Sequence, residues 1–342
     1  KQYLRLNRGI NAVKNIDLEE VIPLIDFNSS AVQIYKPNSG KLELRKAINK
    51  SYFQKKSSPE HIVISAGGMN ALDLTIQSID VDTIYFAKYF WAAYPNITVM
   101  RGKKPAVYEN FQWLYDHMEE IKGQAVIICD PNNPVGNKVD DEQIIQLVKK
   151  LDANGTLVLY DSPYRRVFMD NEDSLYAQLG KLPHVIINES FSKSMGLSGQ
   201  RIGFVHSTNQ DFLKEFRIRL LYETNSINGF AQELVYQLLT SEEGKEAVNE
   251  FKCVTTREIR KNIAYLREKG LLAEAFYPDS EPVGIFVVAN RSSEELLKHR
   301  IGSVSLKYFT MTDKEEADRY ARICVSVPHE KLKSYFEKML QA

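Results

Sequence analysis

Cysteine is scarce in this chain: Cys129, Cys253 and Cys324 are the only three among 342 residues. So few, so widely scattered, exclude a disulfide framework or a cysteine metal cluster and read as a reducing compartment. A charge excess is also missing, since Lys plus Arg and Asp plus Glu stand at 44 each. No bulk field then favours nucleic acid or an anionic membrane, and any anion site has to be built locally. Long hydrophobic runs are absent as well. No eighteen apolar residues follow one another, and Lys1-Gln2-Tyr3-Leu4-Arg5 opens no apolar core of signal-peptide length. The expectation is a cytoplasmic protein with no membrane or nucleic-acid partner. Gly/Ser linkers, internal repeats and low-complexity tracts are lacking, so the parts are expected to pack firmly together.

What is present is length and apolar content. With 44% hydrophobic residues, the chain is long enough for one large domain with an appendage or for two domains sharing a core, and can bury a cofactor site. From about Lys41 onward, short β-branched runs alternate with longer amphipathic stretches, the pattern of a mainly parallel sheet layered with helices. Strands are expected at 61–65, 83–87, 125–129, 156–160, 185–188 and 202–206. Helices are expected at 70–79, 141–154 and from 211 through 241, and a long one at 244–269. Strands at 284–289 and 321–327 with helices at 294–300 and 329–340 make a smaller α/β unit. The expected division is a large domain over 35–243, a small C-terminal domain over 244–342, and an arm, 1–34, joining the small domain.

Ligands of doubly wound sheets collect beyond the carboxyl ends of the strands. There this sequence places Gly67-Gly68, Asp130-Pro131-Asn132-Asn133-Pro134, Asp161 and the run Ser190 to Lys193. The stretch Ser190-Phe191-Ser192-Lys193-Ser194-Met195-Gly196-Leu197-Ser198-Gly199-Gln200-Arg201-Ile202-Gly203 resembles the lysine signature of the class I/II, fold type I, pyridoxal-phosphate-dependent aminotransferases. Asp161-Ser162-Pro163-Tyr164 resembles that family's strand-end Asp-x-x-Tyr, and Asp130 to Gly136 its Asn-Pro-x-Asn-Pro-x-Gly, with aspartate in place of the first asparagine. The motifs follow the family's order from Tyr35 to Val327. The short chain with its compact C-terminal unit is closest in outline to the histidinol-phosphate aminotransferase-like branch.

The resemblance implies roles. Lys193 would carry pyridoxal 5'-phosphate as a Schiff base and move the substrate's α proton. Asp161 would face the pyridine nitrogen and keep it protonated, and Tyr164 and Asn133 would serve the phenolic oxygen. Ser190, Ser192 and Arg201 would hold the phosphate, together with backbone amides of Gly68 and Met69 at a helix start. Trp91 falls on the ring-stacking position in Asp82 to Tyr94; because Tyr89 replaces the usual proline, Phe90 is the alternative stacker. Arg322, in Tyr320 to Val327, would clamp the substrate carboxylate. Tyr35, in Tyr35-x-Pro-x-x-Gly, would reach the phosphate of a partner subunit, implying a homodimer with shared sites. Asn228 echoes a further family position. No metal is implied. The reaction implied is ping-pong transfer of an amino group between an α-amino acid and a 2-keto acid. The same scaffold also hosts decarboxylases and lyases, and a catalytically silent cofactor-binding protein is the alternative of another class.

Overall fold

The runs Thr83–Ala87, Ala125–Ile128, Leu157–Asp161 and Val185–Ser190 are buried along nearly their whole length. A strand shielded on both faces has no reason to alternate apolar and polar residues, which is why these read as continuous apolar runs. In the computed structural model, which describes residues 2–169, 172–278 and 280–342, they form the centre of a seven-stranded sheet. Its order is Ile62–Ser65, Gly203–His206, Val185–Ser190, Leu157–Asp161, Ala125–Ile128, Thr83–Ala87, Lys104–Tyr108. The last five are mutually parallel, and Gly203–His206 runs antiparallel to both its neighbours. The fold is α/β, a mainly parallel mixed sheet flanked by helices.

The register decides where a site can form. Gly203 pairs with both Ser65 and Ser190, so the antiparallel strand starts at the edge where those two strands end. A Cβ on Gly203 would lie 2.4 Å from the Glu189 carbonyl oxygen, so only glycine lets the three strand ends close up here. Ala87, Ile128 and Asp161 end the neighbouring parallel strands at the same edge.

Two hydrophobic cores serve the chain. One, drawn from residues between Val21 and Leu238, encloses the large sheet. The other joins Leu4 and Leu6 to residues between Ile259 and Met339, and takes in Val135 and Tyr164. Around the second core, Val304–Ser305, Ala321–Cys324 and Phe286–Ala289 form a three-stranded antiparallel sheet, and Leu4–Arg5 pairs in parallel with Ile301–Gly302. The helix Glu242–Glu268 runs between the cores and is N-capped by the Ser241 hydroxyl, which accepts from Gly244 N. None of the helices among the described residues is long and apolar enough to cross a membrane.

The structure departs from the expected elements in several places, among them the helices Leu42–Phe53 and Ala93–Met100, which were not expected. The edge strand Lys104–Tyr108 was not expected; it is only partly buried and carries Pro105, which an edge position tolerates. The single helical stretch expected over 211–241 is two helices, Gln210–Thr224 and Gly229–Thr240. Asn225 and Ser226 take positive φ between them, and asparagine is among the few residues that accept the left-handed conformation ending a helix. The strand expected over 321–327 closes at Cys324.

At the far edge of the sheet, His206 is wholly buried, stacked on Phe53 at 4.1 Å between ring centroids, with Nε2 2.6 Å from the Ser57 hydroxyl. Burial, reinforced by the neighbouring His61, depresses its pKa to about 3. The unfolded chain therefore takes up this proton near pH 6.5 while the folded one does not, so stability present above pH 6.5 is lost as pH falls toward 3. The expected slope from this group is about 1.4 kcal/mol per pH unit. Urea unfolding at pH 5 and pH 7 checks it: His206→Phe should lose less stability than the wild type over that interval, and equal losses would show that His206 is not the source.

Candidate active site

The loops at the carboxyl edge of the large sheet and one face of the smaller unit surround a cavity of about 330 Å³. Its lining includes Gly68, Met69, Trp91, Asn133, Asp161, Tyr164, Ser190, Ser192, Lys193, Arg201 and Arg322. Each motif singled out in the sequence between Gly67 and Arg322 contributes to it, the position of Asn228 excepted. Tyr35 does not: it is 79% exposed and lines no part of this cavity.

One group of residues makes a cradle for an anion. Gly67, at φ +86°, turns the chain into the helix Gly68–Ser78, and a Cβ on it would sit 2.8 Å from Arg201 Nη2. A side chain there would fill the space the guanidinium occupies. Arg201 is itself in the left-handed conformation, with Nη1 donating to the Ser198 carbonyl at 2.9 Å. The Ser190 hydroxyl donates to Ser192 Oγ at 2.9 Å and accepts from Ser192 N. Backbone donors at a helix start, two hydroxyls and a guanidinium are the donor set a phosphate ester requires.

Lys193 lies on the short helix Phe191–Ser194 directly after the strand Val185–Ser190. Its Nζ donates to the Gly9 carbonyl, so the N-terminal segment covers it. Burial lowers the pKa of this amine, and the Arg201 and Arg322 guanidinium groups lower it further. A lysine held below its ordinary value has more of the neutral, nucleophilic form near neutrality. Asp161, at the end of Leu157–Asp161, accepts from the Tyr94 hydroxyl at 2.6 Å. Burial pushes its carboxyl up to about 6, against the pull of that hydrogen bond. A cationic N–H in the cavity would hold it as a carboxylate.

The other group centres on Arg322. Its Nη1 donates to Asn133 Oδ1 at 3.1 Å and its Nη2 to the Asn7 carbonyl at 2.8 Å, while Asn133 Nδ2 donates to the Tyr164 hydroxyl at 3.2 Å. The guanidinium is sandwiched between Phe286 and Phe309, at 4.2 and 4.6 Å from the ring centres. Its Nε is buried with no hydrogen-bond partner among the described residues. Trp91 borders the cavity, edge-on to Tyr94 at 5.8 Å, whereas Phe90 turns into the core against Phe86.

Sequence reading passed over three contributors. Tyr94 closes the aromatic stretch that contains Trp91, yet only the fold shows its hydroxyl on Asp161. Asn7 and Gly9 reach the site through backbone carbonyls, which leave no mark in a sequence. Asp130, the departure from the family pattern, points away: its Oδ1 accepts from Val139 N at 2.8 Å, it pairs with Lys138 at 3.1 Å, and it borders a separate cavity. Asn228 is a helix cap, accepting from Ala231 N.

Comparison with known proteins agrees with the fold and the motif order. Residues 1–339 match the family model described as aminotransferase class I and II, and the chain belongs to that family. It is 25% identical over 249 residues to a histidinol-phosphate aminotransferase of Bacteroides fragilis, covering 69% of this chain and 63% of the relative. It is 27% identical over 207 residues to histidinol-phosphate aminotransferase 1 of Mannheimia succiniciproducens, covering 58% and 56%. The match thus spans about three fifths of these relatives' length. Among solved structures, aspartate aminotransferase from Thermus thermophilus with maleate superposes with a TM-score of 0.84 at 18% identity, over 99% of this chain and 91% of that one. The aromatic aminotransferase from Pyrococcus horikoshii gives 0.82 at 21% identity, over 99% and 94%. At such identities these structures establish the fold.

Proposed function

We propose that this chain is a pyridoxal-phosphate-dependent aminotransferase exchanging an amino group between an α-amino acid and a 2-keto acid. The observation that carries the reading is that Lys193 and Asp161, from two adjacent strand ends, border one cavity with an anion cradle and a buried arginine. The donor set fits the cofactor. Ser190, Ser192, Arg201 and the amides of Gly68 and Met69 would hold its phosphate. Asp161 would face the ring nitrogen, Asn133 and Tyr164 the phenolic oxygen, and Trp91 the ring face. When bound, the cofactor supplies an aldehyde that exchanges amines and a ring that withdraws electrons from the substrate α carbon.

The protein's own groups do the rest. Arg322, fixed between two aromatic rings, presents its guanidinium to the substrate carboxylate and so orients the α C–H bond. The Lys193 amine takes the proton from the α carbon and returns it on the other side of the transfer, general base and then general acid. Asp161, as a carboxylate, holds the proton on the ring nitrogen opposite. The segment carrying Asn7 and Gly9 holds Lys193 and Arg322 in place through its backbone carbonyls.

The same reading assigns 35–243 to the cofactor-holding domain and 244–342 to the smaller one, supported by the two separate cores; the arm expected to join the smaller domain, 1–34, divides between them, Leu4 and Leu6 entering the smaller core and Val21 and Ile25 the larger. It also takes the active unit as a homodimer. Ile34, Tyr35, Ile218, Leu221 and Tyr222 are exposed apolar residues, and Lys36 N bonded to Ser226 Oγ ties their two segments together. Such a patch suits a self-complementary interface.

Titration of the purified protein with pyridoxal 5'-phosphate is expected to produce a visible absorption band. A donor panel with 2-oxoglutarate, including histidinol phosphate because the curated relatives bear that name, is expected to yield glutamate. No band would overturn cofactor binding. Carbon dioxide without glutamate would turn the assignment to a decarboxylase, and a band with no turnover of any donor to a silent binder.

A further inference from the structure

One buried acid has no part in the mechanism above. Glu189, 1% exposed, is the penultimate residue of the strand that ends at Ser190, immediately before the cradle. Its Oε1 accepts from Ser190 N at 2.8 Å, and its Oε2 accepts from the hydroxyl of Tyr176, a buried residue of the helix Leu175–Leu179. Both carboxyl oxygens are thus engaged, one by the cradle's own backbone and one by a helix packed behind it.

Resting on the functional reading above, we propose that Glu189 is a positioning residue for the cofactor-phosphate pocket. The chain of hydrogen bonds Tyr176–Glu189–Ser190 holds the strand end from which Ser190, Ser192 and Lys193 project. Lys193 follows within one helical turn, so a shift of the Ser190 backbone moves the cradle and the reactive amine together.

The charge of Glu189 has a second consequence. A phosphate held on the Ser190 hydroxyl would be separated by that one residue from the buried Glu189 carboxyl, which takes the Ser190 amide. Two anions so placed repel strongly, so phosphate binding favours the protonated acid. Burial already pushes the Glu189 carboxyl up to about 8; Tyr176, the Ser190 amide and the Arg166 guanidinium pull it down, and Asp161 adds to the rise. A further titratable neighbour is Tyr52, from the helix Leu42–Phe53, over whose ring the Arg166 guanidinium lies at 4.3 Å. The sign follows: above about pH 8 Glu189 is charged and opposes the phosphate, and below it the acid is neutral and does not.

The test is the dissociation constant of pyridoxal 5'-phosphate, read from its visible band, for the wild type, Glu189→Gln and Glu189→Leu between pH 7 and 9.5. Glutamine can still accept from Ser190 N and donate to the Tyr176 oxygen, so it keeps the position and removes the charge. Wild-type affinity relative to Glu189→Gln is expected to fall about tenfold from pH 7 to 9.5. Pyridoxal, which lacks the phosphate, should show no such divergence. Glu189→Leu should bind the phosphorylated cofactor about tenfold more weakly at every pH, with glutamine restoring binding at pH 7. If leucine prevents folding, Tyr176→Phe removes half the clamp and should weaken binding several-fold. A wild-type-to-glutamine ratio that is flat with pH, or a divergence equally large for pyridoxal, would overturn the charge coupling. Leucine or phenylalanine variants that bind as the wild type does would overturn the positioning role. Failure of the wild type itself to bind the cofactor is a separate result, which overturns the functional reading beneath.

Discussion

Replacing Lys193 with alanine is expected to remove turnover almost entirely, lowering kcat by roughly 10⁴-fold, the upper range for losing a positioned acid–base group. The same change should abolish the lysine-linked absorption band while leaving the cofactor bound through its phosphate. Those outcomes separate because the cradle of Gly68, Ser190, Ser192 and Arg201 does not depend on the lysine side chain. Lys193 is half-buried, and its hydrogen bond to the Gly9 carbonyl costs little to lose, since the carbonyl borders a cavity that water can enter. A spectrum and a thermal melt of the variant check the point together. Activity above about a hundredth of wild type in a correctly folded Lys193→Ala protein would remove Lys193 from its assigned role.

Asp161→Asn is expected to have the next largest effect, a fall in kcat of about 10³-fold. The amide is nearly the same shape, and Tyr94 can still donate to its oxygen, so the fold should hold. What is lost is the negative charge, and with it the preference for a protonated ring nitrogen. The carboxyl stands near 6 because of burial, so it is charged above that pH and neutral below. Wild-type cofactor affinity relative to the asparagine variant should therefore decline as pH drops from 7.5 to 5. Together with Glu189, this places the wild-type optimum for cofactor binding between about 6 and 8, with a different acid governing each limb. Parallel behaviour of wild type and Asp161→Asn across the acid limb would show that Asp161 does not face the ring.

Much of this site was legible before folding. Lys193 with Arg201 spaced after it, Asp161 with Tyr164, Asn133 between two prolines and the Gly67-Gly68 turn all sit just beyond apolar runs, where strand ends must be. Short contiguous motifs survive in the sequence because a strand-to-loop transition places its residues whatever the rest of the chain does. The partners that came from elsewhere were not legible. Tyr94 meets Asp161 across two strands, Glu189 meets Tyr176 across a helix, and Asn7 and Gly9 act through carbonyls common to every residue type. The break at Asn225–Ser226 was missed for a related reason: the two helices continue one another's apolar content, and only the left-handed asparagine separates them. The Lys104–Tyr108 strand was passed over because an edge position leaves it only partly buried.

By itself, then, the sequence determined the α/β class, the positions of the large sheet's central strands along the chain and the side chains offered at their carboxyl ends. Each of these depends on local hydrophobic pattern and on turn chemistry. The tertiary structure decided which of those side chains face one cavity, how far burial moves the acids and the lysine among them, and which residues brace them from behind. These depend on dielectric surroundings and on contacts between residues far apart in the chain, which no local pattern encodes.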